Sequence, residues 1–440
     1  MSQPIIHWPD ASSEQVRAAR GRLEVAAALL SQRPRREIVG ILGQALDQIR
    51  DPNSAWGTEL AEATVQASKF SAQNVSAGLD LGLKEWRSSA LSSLVAREID
   101  HVEAESSSLL SPYAVTSVVL AGTIPMPNLL QSMLPLALGS TALIKPSSQD
   151  PLTPLLLSRC ISEIDSELGR CLEVVSFAST DQESLNSFLS SECVVASGSD
   201  ETIQAIEQNL SPSQRFVGYG HKLSVALINA SCLDDSKTVE TVSRALAVDI
   251  SLWDQLGCLS PACVYVLGEH AAEARLNLLE GLADALAERT RACPPGDVSD
   301  QVRAHKKQAR DEAEMRSGAG QDVQMRCSEN TDWTVIAEPD SNWRPTPLHR
   351  FVRLYPVRDW ETLQAALLPF RPHLSSVGLA GFQRSDTEKL DLKRRLGRLG
   401  FSRICPVGQL QGPALAWPHD GRPVLSPLAR FLHDEEGPSH

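Results

Sequence analysis

No uninterrupted apolar run approaches the ~20 residues that cross a bilayer. The longest candidate, Val118 to Ile144, is broken by Gly122, Pro125, Pro127, Asn128, Gln131 and Pro135, the punctuation of alternating strand, turn and helix in a core. The opening MSQPIIHWPD lacks the basic start and apolar stretch of a secretory signal, so the expected location is cytoplasmic. Positive charge is also short. The 41 Lys and Arg against 54 Asp and Glu leave a net -13, which repels a phosphate backbone and argues against nucleic acid as a partner. The nine cysteines form no CxxC pair and have no histidine cluster beside them. Neither a disulfide framework nor a metal site is expected, and no internal repeat is visible.

What remains is a chain of 440 residues, 42% hydrophobic and 22% charged, enough for two or three packed modules. The first hundred residues read as helices: Ser12 to Leu30, about Arg35 to Ile49, a segment through Lys69, and Asn74 to Ile99. From Val115 the period changes. VTSVVLAG, PNLLQSMLPLAL and TALIKP read as strand, helix and strand, and LEVVSF, ECVVAS and VALINA continue the alternation. This pattern predicts a mostly parallel sheet with helices on both faces. After a helix from about Lys237 to Leu252, ACVYVLG opens a second α/β segment. The charged stretch 272–316 is helical but interrupted by CPPGD, SGAGQDVQ is an exposed loop, and the chain is expected to end in a short helix and a frayed polar tail.

Chemistry is concentrated at SLWDQLGCLSPACVYV. A helix ends there, Gly257 permits an unusual turn, and a strand begins a few residues on. Cys258 can therefore sit on an exposed turn, where backbone N–H groups stabilise the oxyanion formed when a thiolate attacks a carbonyl. Taken alone, a cysteine is more often a small buried hydrophobe, which is the expectation for Cys263 inside ACVYV. Lys145 and the serines of IKPSSQDP stand at a strand end where open α/β sheets place ligands. The same position also suits a plain turn with a solvated lysine. ASGSDETI joins a strand to a helix, and Gly198 and Ser199 suit either a diphosphate or an ordinary cap.

Taken together, DQLGCLSP at 254–261, AGTIP at 121–125, IKPSSQDP at 144–151, ASGSDETI at 196–203, FVGYGHKLSVALI at 216–228 and HDG at 419–421 resemble the LuxC-type long-chain acyl-CoA reductases, relatives of the aldehyde dehydrogenases. Their active cysteine follows a glutamine by three positions, as Cys258 follows Gln255. The resemblance implies an aldehyde dehydrogenase-like α/β fold: a helical amino-terminal part (1–110) of a Rossmann-type cofactor domain, its α/β portion (111–235), a catalytic domain (236–405), and a last segment (406–440) returning to the cofactor domain or an oligomer interface. It further implies NADPH-dependent reduction of a fatty acyl thioester to an aldehyde. Cys258 would be the nucleophile, Thr123 an oxyanion donor with the Cys258 N–H, and Lys145, Ser147, Ser148, Gly198 and Ser199 the NADP contacts.

Two departures bear on direction and efficiency. Aligned through Gly220 and Lys222, Gly218 stands where oxidising aldehyde dehydrogenases carry the glutamate that activates water, so no general base is left there. Thr123 replaces the family's asparagine, a shorter donor. A glutamate in NAD-preferring relatives aligns with Ser148; its absence beside Lys145 favours the 2′-phosphate of NADP. The family adds expectations of a homo-oligomer and of an acyl-transferase or acyl-protein synthetase as partner, in the context of luminescence. His419 reads as a surface-turn residue and His221 as a neighbour of the cleft; neither is assigned a role. Three alternatives stay open: an oxidising aldehyde dehydrogenase, an acyl-phosphate reductase, and a non-catalytic nucleotide-binding subunit.

Overall fold

The alternation of β-branched runs with amphipathic helices folds into two compact units. Unit 1 holds residues 1–68, 82–221 and 414–440, and unit 2 holds 69–81 and 222–413. The computed structural model describes residues 6–7, 10–106, 108–382 and 385–435.

Unit 1 contains β1 (Ile6–His7), β2 (Ser108–Ser111), β3 (Val115–Val119), β4 (Thr141–Lys145), β5 (Leu172–Val175), β6 (Cys193–Ser197) and β7 (Arg215–Tyr219). Six of them form a wholly parallel sheet in the order β1-β5-β4-β3-β6-β7. Strands covered on both faces read as continuous apolar runs; in β4, Ala142, Leu143 and Ile144 are fully buried. The helix Ser13–Leu30 opens with a capping box formed by Ser12 and Gln15. It buries Val16, Ala19 and Leu23 in one cluster with Val115, Leu143 and Val175, each large side chain contributing about 1.5–3 kcal/mol.

Unit 2 contains β8 (Leu223–Asn229), β9 (Pro261–Leu267), β10 (Gln324–Cys327), β11 (Thr334–Ala337), β12 (Phe351–Val357), β13 (Leu374–Ala380) and β14 (Arg403–Pro406). Their order is β10-β11-β12-β9-β8-β13-β14, parallel except for β10 against β11. Helices Ser236–Ser251 and Ala271–Ala292 supply Leu246, Ile250, Leu278 and Leu282 to a cluster with Val264, Val266 and Val335. Helices Trp360–Leu367 and Asp386–Leu399 supply Leu363, Leu367 and Leu396 to a second cluster with Val225, Tyr265 and Val377.

Several expectations are corrected. VALINA forms β8 of the second sheet, so the boundary falls after 221 and not at 235, and the carboxy-terminal return begins at 414 and not 406. The helix expected from Asn74 to Ile99 stops at Gly82 and resumes at Ser88. Residues 69–81 belong to unit 2, where Ser71 Oγ donates to the Pro294 carbonyl and Asn74 Nδ2 to the Ser251 carbonyl. In place of a final helix, residues 419–421 and 426–428 make single 3₁₀ turns and β15 (Arg430–His433) pairs antiparallel with β2. Pro423 and Pro427 each remove a helical N–H, which blocks a continuous helix. The Glu98 carboxylate receives the backbone N–H groups of Val424, Leu425 and Ser426 instead. The polar tail beyond 435 lies outside the described residues. Among the described residues no helix is long and apolar enough to cross a membrane.

Inside unit 2, buried Asp249 accepts the N–H groups of Gly408 and Leu410, and Gln411 Nε2 donates to Ser260 Oγ at 2.8 Å. Burial pushes the Asp249 carboxyl up to about 7 against the pull of those donors. A folded pKa above the unfolded value contributes stability that is complete below the unfolded pKa of about 4 and lost as pH rises through the folded one. We therefore expect the melting temperature of the wild type, relative to Asp249→Asn, to fall between pH 4 and 7, by up to about 1.4 kcal/mol of stability per pH unit. Parallel melting curves for the two proteins over this range would show that Asp249 is ionised throughout.

Candidate active site

The helix Ser236–Ser251 is followed by Trp253, Asp254 and Gln255 with φ of 54°, 47° and 65°. Left-handed backbone costs a non-glycine residue about 1–3 kcal/mol, so the run persists only where its surroundings over-determine it. The Trp253 N–H donates to Asn74 Oδ1 at 2.8 Å, and its buried indole meets Phe70 edge-on at 5.5 Å between centroids. Gly78 leaves room for that ring: a Cβ there would lie 2.3 Å from it. Buried Gln255 accepts the Phe351 N–H at 2.9 Å and donates to the Pro261 carbonyl at 2.9 Å.

From this anchored run the chain turns outward. Cys258 is exposed, its carbonyl accepts from Ser224 Oγ at 2.8 Å, and β9 begins three residues later. Cys263, by contrast, is wholly buried in β9, and burial pushes its thiol pKa up. A thiolate is the nucleophile, so of the two neighbouring cysteines only Cys258 is placed to react with a molecule from solvent.

In unit 1 the other sequence-derived residues collect at the carboxyl edge of the first sheet. β4 and β5 lie on one side of β3, β6 and β7 on the other, so the chain switches direction between β3 and β6, where open α/β sheets form a ligand crevice. Gly122, with φ of 82° and nothing near a notional Cβ, and half-buried Thr123 follow β3. Lys145 ends β4, with Nζ 3.3 Å from Ser179 Oγ and 5.1 Å from the centroid of the Phe177 ring. Burial lowers its pKa, and it makes no ion pair among the described residues. Ser147 turns inward, its Oγ accepting the Gln149 N–H, while Ser148 is exposed. Gly198 follows β6, and Ser199 caps the helix Asp200–Glu207 by accepting the Thr202 N–H.

Asp150, which the sequence reading passed over, shapes the loop after β4. Its carboxylate takes Asn128 Nδ2 at 2.7 Å and the Thr153 N–H at 3.2 Å, and burial raises its pKa. Asn74 was missed as well: it lies 179 residues from its partner Trp253, and no local pattern joins them.

Gly218 sits inside β7, where a Cβ would come within 2.8 Å of Ile203 Cγ2. Its carbonyl accepts from Arg422 Nη2 at 2.7 Å. His419 is half-buried, stacked on Tyr219 at 4.7 Å and 18°, which differs from the surface-turn expectation. Arg422 lies over the same tyrosine ring, so HDG is packed onto β7. His221 donates its N–H to Asp200 Oδ1, and Gly220 leaves the space that carboxylate needs. Restoring a glutamate in Gly218→Glu should therefore overpack β7, lowering stability by about 1–3 kcal/mol, without creating hydrolysis of an acyl-enzyme. A calorimetric melt combined with an acid-release assay checks both; hydrolytic activity at unchanged stability would refute the steric account.

Residues 37–431 match the family model described as acyl-CoA reductase (LuxC). The chain is 24% identical over 330 residues to a long-chain acyl-protein thioester reductase of Aliivibrio fischeri, covering 74% of this chain and 64% of that one. It is 21% identical over 323 residues to long-chain acyl-protein thioester reductase 2 of Photobacterium leiognathi, covering 72% and 63%. The chain thus spans less than two thirds of these relatives. Among solved structures it resembles methylmalonate-semialdehyde dehydrogenase from Oceanimonas doudoroffii, with a TM-score of 0.73, 13% identity and coverage of 99% of this chain and 91% of that one. It also resembles an NAD-dependent aldehyde dehydrogenase from Sinorhizobium meliloti, with a TM-score of 0.72, 15% identity and coverage of 97% and 87%. The fold is aldehyde dehydrogenase-like.

Proposed function

Because this chain belongs to the acyl-CoA reductase (LuxC) family, we propose that it reduces a long-chain fatty acyl thioester to the aldehyde, with Cys258 carrying the acyl group and NADPH as reductant. The observation that carries the reading is the exposed thiol presented beyond a pinned left-handed run, three residues after buried Gln255. The relatives' names specify acyl-protein thioesters, so the donor in this proposal is either acyl-CoA or an acyl group held on a protein.

The Cys258 thiolate attacks the thioester carbonyl, the bond to the carrier sulfur breaks, and the carrier leaves as its thiolate, which takes a proton from water. Thr123 and the Cys258 N–H are assigned as oxyanion donors; one such donor is worth ~10²-fold or more in rate. NADPH, when bound, supplies the hydride that brings the acyl group to the aldehyde level. Cys258 then departs as thiolate from the thiohemiacetal, and aldehyde is released. Gly218 supplies no general base to activate water against the acyl-enzyme, which favours reduction over the oxidising alternative.

Lys145 supports the choice of NADPH: it is a half-buried cation without an acidic partner among the described residues, beside exposed Ser148. These two are assigned to the 2′-phosphate, Gly198 and Ser199 to the diphosphate, and Ser147 to the shape of the loop. The test is NADPH oxidation with palmitoyl-CoA, aldehyde being trapped by a hydrazine. Matching amounts of both products are expected; free fatty acid, or no aldehyde from CoA or protein thioesters, would contradict the reading.

A further inference from the structure

A second run of left-handed residues stands beside the first. Leu348, His349 and Arg350 have φ of 60°, 54° and 63°. Each run immediately precedes or leads toward a strand, β9 and β12 respectively, and those strands are parallel neighbours. Two side-chain links join the runs. Gln255 Oε1 accepts the Phe351 N–H, and Arg350 Nε donates to Asp254 Oδ1 at 2.9 Å, with Nη2 2.8 Å from the same oxygen.

Both members of the charged pair are buried and further tied. Asp254 takes Asn74 Nδ2 at 3.0 Å on Oδ1 and the Gly296 N–H at 2.8 Å on Oδ2. Arg350 Nη1 donates to the Cys293 carbonyl at 2.9 Å and reaches Thr290 Oγ1 at 3.3 Å. Behind them, Lys306 Nζ donates to the His349 carbonyl at 2.7 Å, and a cavity of about 190 Å³ borders Asp254, Lys306 and His349. A buried ion pair contributes little net stability over an apolar pair of the same shape, whereas consecutive left-handed residues are uphill and gather where a fold holds a working geometry. The run that contains Asp254 ends three residues before Cys258.

We infer that Asp254 and Arg350 are positioning residues, a clasp that holds the two left-handed runs together and so fixes the direction in which the Cys258 turn presents its thiol to an acyl thioester. This rests on the assignment of Cys258 as the acyl carrier. The clasp touches no reacting atom. It acts through the backbone between Gln255 and Cys258, where a displacement of about 1 Å costs ~10²-fold in transfer rate.

The experiment measures acyl transfer from palmitoyl-CoA to Cys258 by intact mass against time, in the full chain. Arg350→Ala is expected to lower that rate ~10²-fold with little change in KM, and added guanidinium ion is expected to restore it. Since Arg350→Ala leaves a buried carboxylate uncompensated, a second protein carries Asp254→Leu with Arg350→Met. It should stay folded, melting lower because the Gly296 N–H and the Cys293 carbonyl lose their partners at about 1–3 kcal/mol each, and peptide mapping should show its Cys258 alkylated by iodoacetamide at a rate within about threefold of wild type, yet transfer should stay slow. A double variant that is folded and takes the acyl group at the wild-type rate overturns the clasp while leaving Cys258 its role. A wild-type protein that accepts no acyl group from any thioester removes the reading on which the clasp depends.

Discussion

Replacing the Cys258 thiol in Cys258→Ala is expected to abolish both the acyl adduct and NADPH oxidation, a loss of at least ~10³-fold, while Cys263→Ala keeps both within a few-fold. The contrast follows from placement. Cys258 lies on the exposed turn before β9, and Cys263 lies within the strand with no exposed surface. The melting temperatures give the opposite order: loss of the Cys263 sulfur leaves a small gap in a close-packed sheet, and loss of the exposed one removes almost no packing. Equal loss of turnover in both variants would mean that catalysis fails through folding, and the nucleophile would have to be sought elsewhere.

The second large effect concerns the reductant. Ser148→Glu should raise the KM for NADPH roughly 10- to 100-fold and leave that for NADH within a few-fold, because a carboxylate beside Lys145 would repel a 2′-phosphate held there even through partly solvated surroundings. Ser148 is exposed and carries no packing role, so the change should not disturb the fold. The Lys145→Ala variant should weaken NADPH in the same sense. A Ser148→Glu protein that handles the two nucleotides in the wild-type ratio would move the 2′-phosphate away from the loop after β4.

Four of the six strands of the first sheet were legible in the sequence because VTSVV, TALIK, LEVV and CVVAS are compact apolar runs bounded by Gly, Pro or polar turns. β12 was hidden by Arg353, a charge in mid-strand that reads as solvent-facing. The fold buries it against Glu338, itself fully buried, in an ion pair that no local period reveals. β13 was hidden by its serines, and β15 by prolines that look like the end of structure. The exposed turn that carries Cys258 was readable from Gly257, between the end of one helix and the start of β9. Its supports were not, since Asn74 and Arg350 come from sequence positions far from the turn they hold. The left-handed backbone of Trp253 to Gln255 carries no glycine signal and shows only in three dimensions.

One measurement bears most directly on the account: incubation of the protein with palmitoyl-CoA in the absence of NADPH, followed by intact mass, peptide mapping, and then addition of NADPH. A single palmitoyl group on Cys258, discharged as palmitaldehyde when NADPH is supplied, is the predicted result. An unmodified chain, or an acyl group on another residue that NADPH does not release, would contradict it.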